Sequence, residues 1–389
     1  MMLNPILLAA ITTMPQPPCS PHAMAPALAA TSSGAVLTWM EPAPVGPNAT
    51  SDDVWRLRIS RFNATDNTWS PAKTITQRRN FFVNWADTPQ VAVFEDGSFV
   101  STWLQKSGGD TYAYDIGVAR SNDCGDTWTM LGTLNDDRVQ GEHGFVSMVP
   151  SEGGIRAIWL DGRAMTSEGH GHEGGGDMSL RTAMITDTIG ESSQLDDRTC
   201  ECCPTSLAVT PEGVLAAYRD RDADERRDIS LVRLDGNTWS TPVDLHRDDW
   251  QINGCPVNGP DVDARGQQVA IAWYTGGENP GVFTARSSDG GTTFAAPQSI
   301  GTEDAIGRVA IAWRDAAITD IVWIESGDED ATLQHAQTGG TASATKTIAT
   351  VPLGRRSGYP RIASVGEGRS LVVWTALDPK KGLQAKLLR

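Results

Sequence analysis

"TPQVAVFEDGSFVSTW" (88–103) compresses a whole structural unit into a short run. Apolar residues alternate up to Phe94, Glu-Asp-Gly punctuates a tight turn, and a second apolar stretch ends in Trp103. Alternation of period two bounded by a glycine turn is the mark of a β-hairpin with one buried face. The same pattern recurs along the chain. It reads "MAPALAATSSGAVLTW" to Trp39, "GFVSMVPSEGGIRAIW" to Trp159 and "CPTSLAVTPEGVLAAY" to Tyr218. It then reads "GPDVDARGQQVAIAW" to Trp273, "GRVAIAWRDAAITDIVW" to Trp323 and "YPRIASVGEGRSLVVW" to Trp374. The terminal aromatics stand 50 to 64 residues apart.

One or two further strand-like segments lie between copies, such as "WRLRISRF" (55–62) and "YDIGVARS" (114–121). A unit of about four short antiparallel strands repeated at a fixed period predicts an all-β chain folded as a single β-propeller. Seven copies predict seven blades, with six as the alternative if the 307–323 copy is a decoration. Only 15 residues follow Trp374, room for one strand at "GLQAKLLR" (382–389). The ring therefore closes through a short last blade or a strand from residues 3–12. The propeller is expected over 24–389, with 1–23 an export or anchor segment and linker, or that closing strand.

Charge narrows the partners. With 32 basic and 48 acidic residues the net charge is −16, which repels phosphate backbones and anionic lipid. No apolar run approaches the roughly 18 residues of a membrane span. "NPILLAAITTM" (4–14) resembles the apolar centre of an export signal, although no Lys or Arg precedes Arg56. Clustered cysteines suit an oxidising compartment, so a periplasmic or extracellular monomer binding a glycan or small molecule is expected.

"SNDCGDTW" (121–128) and "SSDGGTTF" (287–294) share Ser-x-Asp-x-Gly-x-Thr-aromatic, and "TDNTW" (65–69) and "LDGNTW" (234–239) are degenerate copies. This resembles the Asp box, or BNR repeat, of the sialidase (neuraminidase) superfamily, in which such boxes form rim turns between third and fourth strands. The resemblance implies an exo-α-sialidase-like glycoside hydrolase with three arginines on a carboxylate, a Tyr nucleophile with a Glu partner, and an Asp acid/base. Arg198, Arg219, Arg308 and Arg361, with Tyr359 and Glu142, are the matching residue types here. The Arg-Ile-Pro motif of the first blade is absent, and no Asp matches, so the full catalytic set is incomplete.

The loops that enter inner strands, and those joining second to third strands, share one face of a propeller. That places "DDRTCECCPT" (196–205), "INGCPVNGP" (252–260), "QGEHGF" (140–145) and "YRDRDADERRD" (218–228) together. Arg219 and Arg221, leaving an inner strand directly, would point over the channel mouth. Cys203 and Cys255 occupy similar places in adjacent blades, so the two should approach, with Cys200 and Cys202 beside them. Disulfides, a thiolate site for copper or zinc, and a catalytic thiol are the three readings. "EGHGHEGGGD" (168–177) adds His170 and His172 as further metal-ligand candidates, or else a solvated Gly-rich loop; His143 could join either set.

Overall fold

A computed structural model describes residues 14–44, 54–94, 96–165, 175–339 and 344–389. Seven antiparallel sheets follow one another, each a simple meander in which consecutive strands pair. Their first strands, Met24–Thr31, Gln90–Val93, His143–Ser151, Ser206–Thr210, Asp261–Arg265, Ala305–Trp313 and Arg361–Ser364, contact their neighbours in sequence. The last also contacts the first, which closes a seven-bladed propeller. All seven line a central channel of about 490 Å³.

The repeat aromatics sit where the pattern puts them, on the second strand of every blade. Trp39, Trp159, Tyr218, Trp273 and Trp323 are fully buried, and Trp103 and Trp374 nearly so. A buried indole needs an acceptor for its N–H. Four of these tryptophans find it two residues on, since residues i and i+2 share a strand face. Trp39 donates to Glu41, Trp103 to Gln105, Trp159 to Asp161 and Trp323 to Glu325, at 2.8–3.2 Å. The large rings also restrict their neighbours within a blade. A Cβ on Gly117 would lie 2.4 Å from the Trp103 ring, so only glycine fits at that crossing.

Both Ser-x-Asp-x-Gly-x-Thr segments form the same turn between third and fourth strands. In each, Ser121 or Ser287 accepts from the glycine N–H at 2.8 Å, and Asp123 or Asp289 accepts from the backbone and hydroxyl of Thr127 or Thr293. Gly125 and Gly291 take φ of +85° and +81°, a conformation glycine adopts without a Cβ penalty. Hydrogen bonds to Thr127, first from its hydroxyl and then from its N–H, hold Asp123 down to about 2.

Among the described residues the last blade has three strands, ending in Leu383–Leu388. Residues 3–12 lie outside the described residues. The segment just after them runs along this blade: the Gln16 side chain accepts from Ala385 N–H at 2.8 Å, and Cys19 Sγ accepts from Leu383 N–H at 3.3 Å. The outermost strands of blades one and four are each broken into two short pieces. No helix among the described residues is long and apolar enough to cross a membrane.

Candidate functional site at the channel mouth

A cleft of about 750 Å³ opens on the face carrying the entering loops of blades two to five. Its wall brings together Trp85, Tyr112, Glu142, Glu201, Cys202 and Arg355. Glu142, on the loop entering blade three, accepts a 2.7 Å hydrogen bond from the Tyr114 hydroxyl. Tyr114 is the first residue after the second-to-third-strand loop of blade two, which places it on this face. Burial pushes the Glu142 carboxyl up and the Glu201 charge adds to this, against the lowering effect of the Tyr114 hydroxyl and of His143; the group titrates at about 7. Burial, reinforced by Glu142, keeps the Tyr114 phenol protonated.

Beneath the pair, His143 is fully buried with its ring nitrogens 3.1 Å from Tyr114 O and 2.9 Å from Asp137 Oδ2. Both partners are acceptors, so both nitrogens donate. Burial would discharge the ring, but Asp137 and Asp161 outweigh it and raise its pKa. An imidazolium with both nitrogens engaged has no lone pair for a metal; it fixes the strand that carries Tyr114. Asp87 is also buried here: Oδ1 accepts from Phe145 N–H at 2.8 Å, Oδ2 has no partner among the described residues, and burial pushes the carboxyl well above its ordinary range.

The arginines divide into two kinds. Arg219 is buried and donates to the carbonyls of Asn258 and Tyr274, each at 2.6 Å, and of Arg227, with its guanidinium 4.7 Å above the Trp250 ring. It faces inward rather than over the channel, because three carbonyl oxygens from adjoining loops need donors there. Arg308 donates to Gly354 O at 2.8 Å and to the Ser357 hydroxyl, and lies over Trp85. Arg361 donates to Pro26 O and to the Thr88 hydroxyl, binding blade seven to blades one and two. Tyr359 is buried and donates to Val257 O at 2.6 Å, while Glu142 takes Tyr114 as its phenol partner. Arg198 and Arg221 do reach the cleft, sharing Asp177 between them.

The thiols gather at the inner edge of this cleft. Cys200 Sγ is 3.0 Å from Cys203 Sγ and 4.0 Å from Cys202 Sγ. Among the described residues no two sulfur atoms stand at disulfide-bonding distance. Cys203 therefore faces Cys200, while Cys255 lies near Cys202. The Asn258 N–H, from the loop that carries Cys255, donates to Cys203 Sγ at 3.4 Å. Cys255 is left on the exposed side. His170 and His172 lie outside the described residues.

Arg227, which the sequence reading passed over, ties the loops together. It is buried and donates to Cys200 Sγ at 3.3 Å, Glu201 at 2.6 Å, Glu225 at 2.8 Å and Ile252 O at 3.1 Å. Tyr114 was legible only as a strand start. Its place directly after a second-to-third-strand loop was the signal that could have found it.

No protein-family model matches the sequence, and no curated protein matches it. Among solved structures, an ulvan lyase, a polysaccharide lyase bound to -[GlcA(1-4)Rha3S]-, superposes with a TM-score of 0.60 at 11% identity, covering 96% of each chain. A protein of unknown function from Dyadobacter fermentans DSM 18053 gives 0.51 at 16% identity, over 79% of this chain and 95% of that one. A Hadza microbial sialidase gives 0.49 at 15%, over 78% of this chain and 63% of that one, so this chain spans under two thirds of that sialidase. At these identities the likeness is one of fold. It is a propeller architecture that a polysaccharide lyase also uses.

Proposed function

We propose that the channel-mouth cleft binds a saccharide bearing an acidic group, with Glu142 as the proton-carrying side chain. The observation that carries this reading is the Glu142–Tyr114 pair opening into a cleft that also holds Trp85 and Tyr112. Sugar rings present apolar C–H faces that pack on aromatic side chains, and their hydroxyls need nearby polar partners. A carboxyl titrating at about 7 holds or releases its proton at neutral pH, as acid–base work on a glycosidic oxygen demands. Arg355 at the rim and Arg198 are the cations open to a ligand carboxylate or sulfate.

The sialidase form of this reading is disfavoured. Arg219, Arg308 and Arg361 spend their donors on carbonyl and hydroxyl oxygens of the chain itself. Tyr359, donating to a backbone carbonyl, is not poised as a nucleophile. The ulvan lyase that shares the fold is bound to an acidic saccharide, which is in keeping with the proposed ligand class. Export to the periplasm or cell exterior, where such polymers occur, is part of the proposal.

Calorimetric titration with uronate-bearing, sialylated, sulfated and neutral oligosaccharides tests it. At least one acidic oligosaccharide should bind better than its neutral counterpart, and Trp85→Ala and Arg355→Ala should each weaken it about tenfold or more, the value of one well-placed contact. Failure of every acidic oligosaccharide to bind, or unchanged binding by both variants, would overturn the reading.

A further inference from the structure

The saccharide reading leaves the thiols unused, yet they are the densest group of soft donor atoms among the described residues. Cys200, Cys202 and Cys203 have sulfur atoms all within 4.8 Å of one another, and the three residues are 0%, 9% and 1% exposed. They come from one turn, "CECC", pinned at both ends: Cys200 N–H donates to Arg219 O, and Pro204 leads into the inner strand of blade four. Cys255, from the loop entering blade five, lies near Cys202 on the exposed side of the cluster.

The surroundings supply hydrogen-bond donors to sulfur. The Arg227 guanidinium donates to Cys200 and the Asn258 N–H to Cys203. Such donors stabilise thiolate sulfur, the form that ligates metals, and hold each ligand in place. No carboxylate or imidazole belongs to the convergent set, which disfavours a hard cation.

We propose that Cys200, Cys202 and Cys203, completed by Cys255, bind a soft d10 cation, Cu(I) or Zn(II), beside the cleft. Each ligating thiol gives its proton to solvent and its lone pair to the ion, and no electrons are transferred. With sulfur–metal bonds of about 2.3 Å, sulfurs around one ion stand nearly 4 Å apart. The Cys200–Cys202 separation of 4.0 Å already meets this, and the Cys200–Cys203 contact of 3.0 Å must open by about an ångström. The ion would clamp the entering loops of blades four and five, which form one wall of the cleft. Arg227, which touches Cys200 and also the 252 loop, would then hold a charged site rather than a lone thiol.

The test uses the full chain, reduced and then freed of reductant without oxygen. Cu(I) is titrated against a Cu(I)-chelating chromophore and Zn(II) against a zinc indicator, with melting temperature recorded alongside. One ion per chain, ultraviolet sulfur-to-metal charge-transfer absorbance and a raised melting temperature are expected for at least one of them; the ion that competes better identifies the site. Cys200→Ser with Cys203→Ser should abolish binding, Cys255→Ser should weaken it, and Cys124→Ser, exposed on a rim turn, should leave it unchanged. If the double variant fails to fold, the wild-type stoichiometry and the Cys255→Ser weakening still decide. No binding of either ion by the reduced wild type, or binding that survives loss of the clustered thiols, overturns the proposal.

Discussion

Asp320 carries the sharpest prediction about what holds the ring together. Its carboxylate is fully buried on the second strand of blade six and meets Arg314 through two bonds of 2.6 and 2.8 Å. His335 lies 2.8 Å away, and the Ser370 hydroxyl of blade seven donates at 2.6 Å. Asp320→Ala removes the partner from three groups at once and leaves Arg314, only 6% exposed, as an uncompensated cation. Breaking a buried pair from one side costs roughly 3–5 kcal/mol, against about 1 kcal/mol at most for an exposed one. With a urea slope of about 3 kcal/mol/M for a chain of this size, the midpoint should fall by roughly 1 M. Urea unfolding followed by tryptophan fluorescence reads it. Joint replacement, Asp320→Leu with Arg314→Met, should recover much of the loss, since the desolvation cost disappears with both charges. Acid supplies a second check. Burial pushes Asp320 up, but His335, Ser370 and Arg314 outweigh it and hold it below its ordinary value. Its stabilisation is therefore present above about pH 3.9 and lost as pH falls through the lower folded value, a limb the Ala variant should lack. A single-variant cost no larger than that of a surface pair would refute the reasoning.

Two further outcomes follow from the site. Glu142, raised from 4.5 to about 7, contributes stability that is complete below the unfolded value and lost as pH rises through the folded one. Glu142→Gln should flatten the stability profile between those limits by an amount on the order of 3 kcal/mol, measured by urea unfolding across pH; an unchanged profile would remove Glu142 as the neutral-pH titrating group. Arg219→Met should lower the melting temperature through the carbonyls it leaves without donors, at about 1–3 kcal/mol each, while cleft binding per folded molecule stays as it was; a stable variant with weakened ligand binding would return Arg219 to the ligand side.

Fold and site were legible to different depths for a physical reason. A propeller repeats one packing problem seven times, so each hairpin must solve it with the same alternation, the same turn and the same aromatic, and repetition made the signal add up. The Trp-x-acid pairing at Trp39, Trp159 and Trp323 is the same solution at a finer scale, and it too is written locally. The site has no such periodicity. Its loops could be assigned to one face from topology alone, which placed Glu142, Arg198 and the cysteines correctly in one neighbourhood. Which side chain turns into that space depends on backbone carbonyls left unpaired by irregular loops, and those are not visible in a linear pattern. Arg219, Arg308 and Arg361 were drawn inward by such carbonyls, Tyr359 by Val257 O.

The same accounting explains why the thiols and the carboxyl pair can share one cleft without sharing one chemistry. Arg227 and Arg221 both reach Glu201, the residue between Cys200 and Cys202, so the cationic side chains of the 218–228 loop are absorbed on the thiol side. Glu142 stands across the cleft, on the loop entering blade three, with a phenol rather than a guanidinium as its partner. One wall sets a guanidinium beside the thiols and the other a phenol beside the carboxyl. Exchanging those partners would reverse both: a guanidinium beside Glu142 would lower it out of the neutral range, and a phenol beside Cys200 could not offset the desolvation of a thiolate. The pairing of Glu142 with a phenol and of Cys200 with a guanidinium is thus the arrangement on which both proposals rest.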